Sequence, residues 1–247
     1  MEIKVYSDYD AMCAATAKLI ADHVRANPEA LLSFAAGSSP LGVFAKLIEA
    51  AKSGTVSFAR CRFVSLDEWA GLDGSAQGSC RQTLDEHFFK PLAVPEPHIR
   101  FFDGKAGSYE RECEEMDAYI AGHGGIGLIL LGVGMNGHLG FNEPGASFEA
   151  YSHVSRLDET TKHVSVKYFG ESLPLTQGIT LGIRHMMEAD QAILIADGLK
   201  KADIVHEALN GEVTNRVPAS ILQRHNNCAV YLDAGAASKL KPLPNSL

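Results

Sequence analysis

Short apolar runs alternate with amphipathic stretches along the whole chain. Residues 3–5, 30–36, 61–66, 99–102, 126–131, 191–196 and 228–232 are strand-length and rich in branched side chains. Between them, apolar residues recur at helical spacing. Met12, Ala15, Leu19 and Ile20 share one face, as do Tyr109, Cys113, Met116 and Ile120, and then Ala202, Val205 and Leu209. Leu128, Ile129, Leu130 and Leu131 are apolar without alternation, which a strand covered by helices on both faces requires. The pattern predicts an α/β fold with a doubly wound, mostly parallel sheet in three layers. The Pro-rich residues 91–97 read as a turn and not as a linker. A single domain is expected over residues 1–240, with 241–247 as a C-terminal tail.

Composition narrows the function classes. The chain has 247 residues, 46% of them hydrophobic, enough to bury a core without staples. Thirty acidic against 22 basic residues leave a net charge of −8. A bulk nucleic-acid surface is therefore not expected, while a local basic pocket stays open. No apolar run approaches the ~20 residues of a membrane span. Met1-Glu2-Ile3-Lys4 lacks the basic-then-apolar build of a secretion signal. The five cysteines are scattered and never form C-x-x-C, as in a reduced, cytoplasmic protein. The histidines show neither HExxH nor any other metal spacing, and neither a Walker loop nor a dinucleotide fingerprint is present.

In doubly wound folds ligands sit where strands run into helices, and three such junctions are unusual. After residues 30–36 comes Gly37-Ser38-Ser39-Pro40-Leu41-Gly42, whose small residues suit close backbone approach to a phosphate. By itself that string fits an ordinary capped turn as well. After residues 61–66 come Asp67 and Glu68, two acids ending a buried strand. Strand neighbours point to opposite faces, so one can enter a pocket and the other cannot; a catalytic base and a helix cap are both open readings. The third junction, residues 132–145, packs glycines around His138, with Glu143 five residues on to orient the ring. That presentation marks His138 as a proton shuttle. Cys80, after Ser79 at a helix start, reads as buried and inert.

Leu66-Asp67-Glu68-Trp69, taken with Gly137-His138-Leu139-Gly140-Phe141-Asn142-Glu143-Pro144-Gly145, resembles the glucosamine-6-phosphate deaminase family. The similarity runs from the 37–40 loop to Pro218-Ala219-Ser220. Trp69, residues 78–80 and residues 178–182 look more like its galactosamine-6-phosphate isomerase branch, since the glucosamine enzymes usually carry tyrosine where Trp69 and Cys80 stand.

The resemblance implies a modified doubly wound fold and a reaction that needs no cofactor or metal. A 2-amino-2-deoxyhexose 6-phosphate would become the ketose 6-phosphate, fructose or tagatose, with release of ammonia. His138 matches the ring-opening acid–base, biased by Glu143. Asp67 matches the base that carries a proton between neighbouring carbons through an enolamine, and Glu68 remains a supporting or capping acid. Gly37, Ser38, Ser39 and Lys201 match the phosphate site, with Gly137 beside it. Lys167 stands where the family often has arginine, keeping the charge without the bidentate fork. Asn136 stands where several members have aspartate, leaving Glu143 as the histidine's negative partner. Residues 147–155 lack the lysine or arginine with which regulated members bind an activator. The expected partner is a small amino-sugar phosphate, without nucleic acid or membrane, for a monomer or small homo-oligomer. Two rivals are a 6-phosphogluconolactonase-type hydrolase, which typically has Asp-Glu-Arg where Asp67-Glu68-Trp69 stands, and a non-catalytic sugar-phosphate effector domain, which has no need of Asp67 and His138 together.

Overall fold

A computed structural model describes residues 1–169 and 173–241. Seven strands form one parallel sheet: β1 (Glu2–Tyr6), β2 (Leu31–Phe34), β3 (Arg62–Ser65), β5 (Ile99–Arg100), β6 (Leu128–Gly132), β9 (Gln191–Ala196) and β10 (Cys228–Asp233). Their order is β1-β10-β9-β6-β2-β3-β5, and every neighbouring pair is parallel. Alternate side chains of each strand feed two cores. Leu128 and Leu130 of β6 join Leu32 and Phe34 of β2 on one face, while Ile129 and Leu131 join Leu31 on the other. The first face is covered by α1 (Tyr9–Ala26), α2 (Leu41–Lys52) and α3 (Cys80–Leu84), the last running on into a wider turn over Asp85–Phe89. Phe34, Phe44, Phe63 and Phe88 stack there with centroids 5.2–5.9 Å apart, a large apolar burial around well-defined ring geometry. The second face is covered by α4 (Tyr109–Gly122), α6 (Ile183–Glu188) and α7 (Ala202–Asn210). The three layers expected from the apolar runs are present.

A second sheet departs from that expectation. β4 (Asp67–Trp69), β7 (His153–Arg156) and β8 (Gln177–Thr180) pair antiparallel in the order β4-β8-β7. Asp67 and Glu68 therefore do not end β3; they begin a strand of their own, with Asp67 opposite Thr180 and Glu68 opposite Ile179. α5 (Glu159–Phe169) follows β7.

Residues 239 and 240, and with them Lys241 at the start of the expected tail, lie against the domain. Leu240 packs on the core, Lys239 pairs with Asp203, and the Lys241 amide donates to Asn210 at 3.1 Å. The rest of the tail, 242–247, lies outside the described residues.

Candidate active site

The winding direction changes between β2 and β6. From β2 the chain steps outward through β3 and β5, then returns to β6 and steps outward the other way through β9 and β10. The loops leaving β2 and β6 thus diverge at their carboxyl ends and open a crevice. It holds a cavity of about 550 Å³, well within the size range of small-molecule sites.

One end of the cavity is basic. Gly37, Ser38 and Ser39 line it just before α2, where helix amides and dipole favour an anion. Tyr9 of α1 fixes this loop: its hydroxyl donates to the Ser39 carbonyl at 2.8 Å and accepts the Gly42 amide at 2.9 Å. Lys201, at the entry to α7, reaches into the same space and donates to the Val133 carbonyl at 2.7 Å. Burial, helped by neighbouring Lys167, lowers its ammonium to about 8, the direction expected when a cation is desolvated beside a like charge. Lys167, on α5, lines the cavity with its Nζ 4.6 Å from the Tyr168 ring centre. Asp197, from the loop after β9, faces both lysines and accepts a hydrogen bond from the Ser39 hydroxyl.

The other end carries the acid–base groups. Asp67 lines the cavity at 9% exposure, and Glu68 points away, wholly buried. Glu68 accepts amides from Trp69 (2.8 Å), Cys80 (3.0 Å) and Arg81 (2.9 Å), capping α3 from the side. Burial pushes the Asp67 carboxyl up to about 6, against the opposing pull of the Cys80 thiol and His138. Burial, with Asp67 adding to it, pushes Glu68 up to about 7 in spite of its three amide donors. Cys80 is buried as expected and also lines the cavity beside Asp67; desolvation and the two carboxylates hold its thiol well above the ordinary range, which makes it a poor nucleophile. Trp69 forms part of the wall, stacked on Phe141 at 4.6 Å.

His138 is presented by the loop after β6, which closes on itself through Gly134 N–H to the His138 carbonyl at 3.0 Å. Its ring lies flat against Gly134: a Cβ there would meet Nε2 at 2.3 Å, so the glycine is a steric necessity. Nδ1 stands 3.3 Å from Glu143 Oε2 and 3.2 Å from Thr161 Oγ1. Burial by itself would raise Glu143, but His138, Thr161 and Asn136 outweigh it and hold the carboxyl below its ordinary value. An anionic Glu143 at Nδ1 keeps the proton on that nitrogen and leaves Nε2 for the cavity.

Seven of the ten expected site residues meet in this one cavity: Gly37, Ser38, Ser39, Asp67, His138, Lys167 and Lys201. Asn136 and Glu143 lie behind His138. Asn136 donates to Glu143 Oε2 at 2.9 Å and accepts the His138 amide at 3.3 Å, so it steadies the glutamate and has no contact with the cavity. Gly137 departs from its expected place among the binding residues. At φ +85° its Cα faces Val217 and Ile204, turned away from the cavity into the packing against α7. Among the lining residues without a counterpart in the sequence reading, two touch the expected site groups directly. Asp197 follows β9 and obeys the same strand-end rule that found Asp67, whereas Thr161 has no local signal at all, because it becomes relevant only by meeting His138 across 23 residues.

Among the described residues no group of three or more His, Cys, Asp or Glu side chains is placed to hold a metal ion, and no helix is long and apolar enough to cross a membrane.

Known proteins resemble the chain over nearly its whole length. Residues 7–231 match the family described as glucosamine-6-phosphate isomerases/6-phosphogluconolactonase. Glucosamine-6-phosphate deaminase 2 of Bacillus subtilis is 36% identical over 98% of both chains. Glucosamine-6-phosphate deaminase of Lachnoclostridium phytofermentans is 38% identical over 93% of this chain and 98% of its own. A solved structure of a monomeric glucosamine-6-phosphate deaminase, described as a missing link of the NagB superfamily, superposes with a TM-score of 0.94 at 31% identity, covering 97% of this chain and all of that one. The 6-phosphogluconolactonase of Trypanosoma brucei shares the fold, with a TM-score of 0.80 at 21% identity over 97% and 98% of the two chains. The chain belongs to the glucosamine-6-phosphate isomerase/6-phosphogluconolactonase family.

Proposed function

We propose that the chain is an isomerising deaminase of a 2-amino-2-deoxyhexose 6-phosphate, yielding the ketose 6-phosphate and ammonia. The observation that carries this reading is the meeting of Asp67 and His138 in one cavity whose far end holds the 37–39 loop, Lys167 and Lys201. Each feature answers a chemical need. The phosphate anchors at the basic end. His138, whose Nδ1 proton is held in place by the anionic Glu143, uses Nε2 to shuttle a proton between the anomeric hydroxyl and the ring oxygen, which opens the sugar. Asp67 then takes the proton from the carbon bearing nitrogen, giving an enolamine, and returns it to the adjacent carbon. The resulting ketimine adds water and releases ammonia. A carboxyl near 6 suits a base that must both accept and return a proton at neutral pH.

Glucosamine 6-phosphate is the first substrate to test, because the relatives at 36–38% identity are named for it. Galactosamine 6-phosphate is the second reading, favoured by Trp69 and Cys80, both of which line the cavity. The five cysteines are all free and buried, which fits a reducing cytoplasm. A monomer is the proposed state, by analogy with the monomeric relative, with residues 1–241 as one domain.

Both amino-sugar phosphates are to be assayed side by side for ammonia and ketose 6-phosphate, with EDTA present. Ammonia from either supports the reading, and the ratio of the two kcat/KM values assigns the branch. Acid release from 6-phosphogluconolactone without ammonia would transfer the chain to the lactone hydrolases. A melting shift with sugar phosphate but no turnover would make it a sensor.

A further inference from the structure

We infer that Thr161 is a positioning residue that couples phosphate binding to the proton chemistry of His138, an inference that rests on the proposed roles of the two ends of the cavity. Thr161 is buried, at 6% exposure, on the first turn of α5. Its hydroxyl lies 3.2 Å from His138 Nδ1, and the same hydroxyl helps hold the Glu143 carboxyl down. The hydroxyl thus stands beside the nitrogen that faces Glu143, within hydrogen-bonding distance of the ring.

The helix that carries Thr161 also carries Lys167. Thr161, Val164, Lys167 and Tyr168 follow one another at helical spacing and all line the cavity. Lys167 lies six helical steps beyond Thr161, about 9 Å of rigid rise. Whatever locates the lysine therefore locates the hydroxyl. The C-terminal end of the helix is packed, with Tyr168 and Phe169 against the core and Phe169 edge-on to Trp69 at 5.5 Å, whereas its first turn is fixed chiefly through Thr161. A phosphate held between Lys167 and the 37–39 loop adds a further anchor at the cavity. It seats α5, and with α5 the Thr161 hydroxyl against Nδ1 and Glu143. Binding energy from the unreactive end of the substrate is thereby spent on orienting the ring that acts at the other end.

The discriminating variants are Thr161→Val, which keeps shape and loses the hydroxyl, and Thr161→Ser, which keeps it. Thr161→Val should lower kcat by at least about tenfold, the scale of a misplaced catalytic group, with the inhibition constant of inorganic phosphate within twofold of wild type. Thr161→Ser should recover most of the loss. Unphosphorylated glucosamine should be turned over faster by the wild-type enzyme when phosphite is added, and Thr161→Val should lose that stimulation. Wild-type kcat in Thr161→Val, a loss that serine does not rescue, or phosphite stimulation absent in wild type or intact in the variant would each overturn the coupling. A readout independent of turnover is the ring nitrogen signals of His138 in 15N-histidine protein, assigned with His138→Gln. Inorganic phosphate should shift them in wild type and leave them in place in Thr161→Val; equal responses would refute the inference. If wild type releases no ammonia from any amino-sugar phosphate while this phosphate response is present, the proposed function fails and the coupling stands.

Discussion

Asp67 and Lys201 are both partly defined by what surrounds them. As the proposed base Asp67 would have to be ionised, and it is raised to about 6, while Lys201, as the proposed phosphate ligand, would have to be protonated and is lowered to about 8. The profile of kcat/KM, which reports the free enzyme, should rise through about pH 6 and fall through about pH 8. In the kcat profile the basic limb should move upward, because a bound phosphate dianion stabilises the ammonium. Asp67→Asn should lower turnover at least ~100-fold while leaving phosphate inhibition close to wild type, since the cradle is at the other end. The same substitution should stabilise the fold. A carboxyl raised from the ordinary value contributes stability that is fully present below its unfolded pKa and lost as pH rises through about 6. Removing it recovers that loss, at most roughly 3 kcal/mol for a shift of this size. Thermal melts should therefore show Asp67→Asn above wild type at pH 7.5, with the gain fading towards pH 4; a variant that melts lower at pH 7.5 would contradict this.

The elements around the site show how little of a motif is chemistry. In β4 alternation sends Asp67 into the cavity and Glu68 to the amides of α3, so neighbouring acids have unrelated tasks. Strand parity anticipated that division, though not the strand. β4, β7 and β8 are three or four residues each and carry sequences such as Asp-Glu-Trp and His-Val-Ser-Arg, too short and too polar for periodicity to register. In the loop after β6, two glycines answer to different neighbours. Gly134 makes room for the His138 ring and Gly137 for Val217. Gly134→Ala would place a methyl carbon 2.3 Å from Nε2, so the imidazole must rotate off Glu143. Activity should fall by at least about tenfold with a melting temperature near that of wild type. A variant that keeps full activity would show that the ring tolerates a second seat.

Across the whole molecule, the face beyond β7 bears on regulation. Residues 147–155 contain no lysine or arginine. Arg184, brought alongside by the fold, is occupied by Glu149 and Glu188 and lies over the Tyr151 ring. Arg184 is therefore not free to hold a second phosphate. Substrate saturation should be hyperbolic and unaffected by N-acetylglucosamine 6-phosphate; a sigmoidal curve that this compound straightens would overturn the prediction.

What the sequence by itself determined is the frame and most of the site. Unbroken apolar runs can be buried only between helices, and β9 falls on residues 191–196 as the run predicts. Functional side chains then follow from topology, because parallel winding leaves strand ends as the place for ligands. Asp67, His138 and the 37–39 loop were legible for that reason, and Lys201 through the family resemblance. The tertiary structure alone decided which way each residue of a motif faces, and which distant residues meet. It turned Gly137 from the cavity towards α7, set Asn136 behind Glu143, brought Asp197 to Ser39 across 158 residues and Thr161 to His138 across 23. The physical reason is range. Periodicity and strand-end chemistry are properties of a few consecutive residues, whereas a hydrogen bond between remote loops exists only after packing has fixed both.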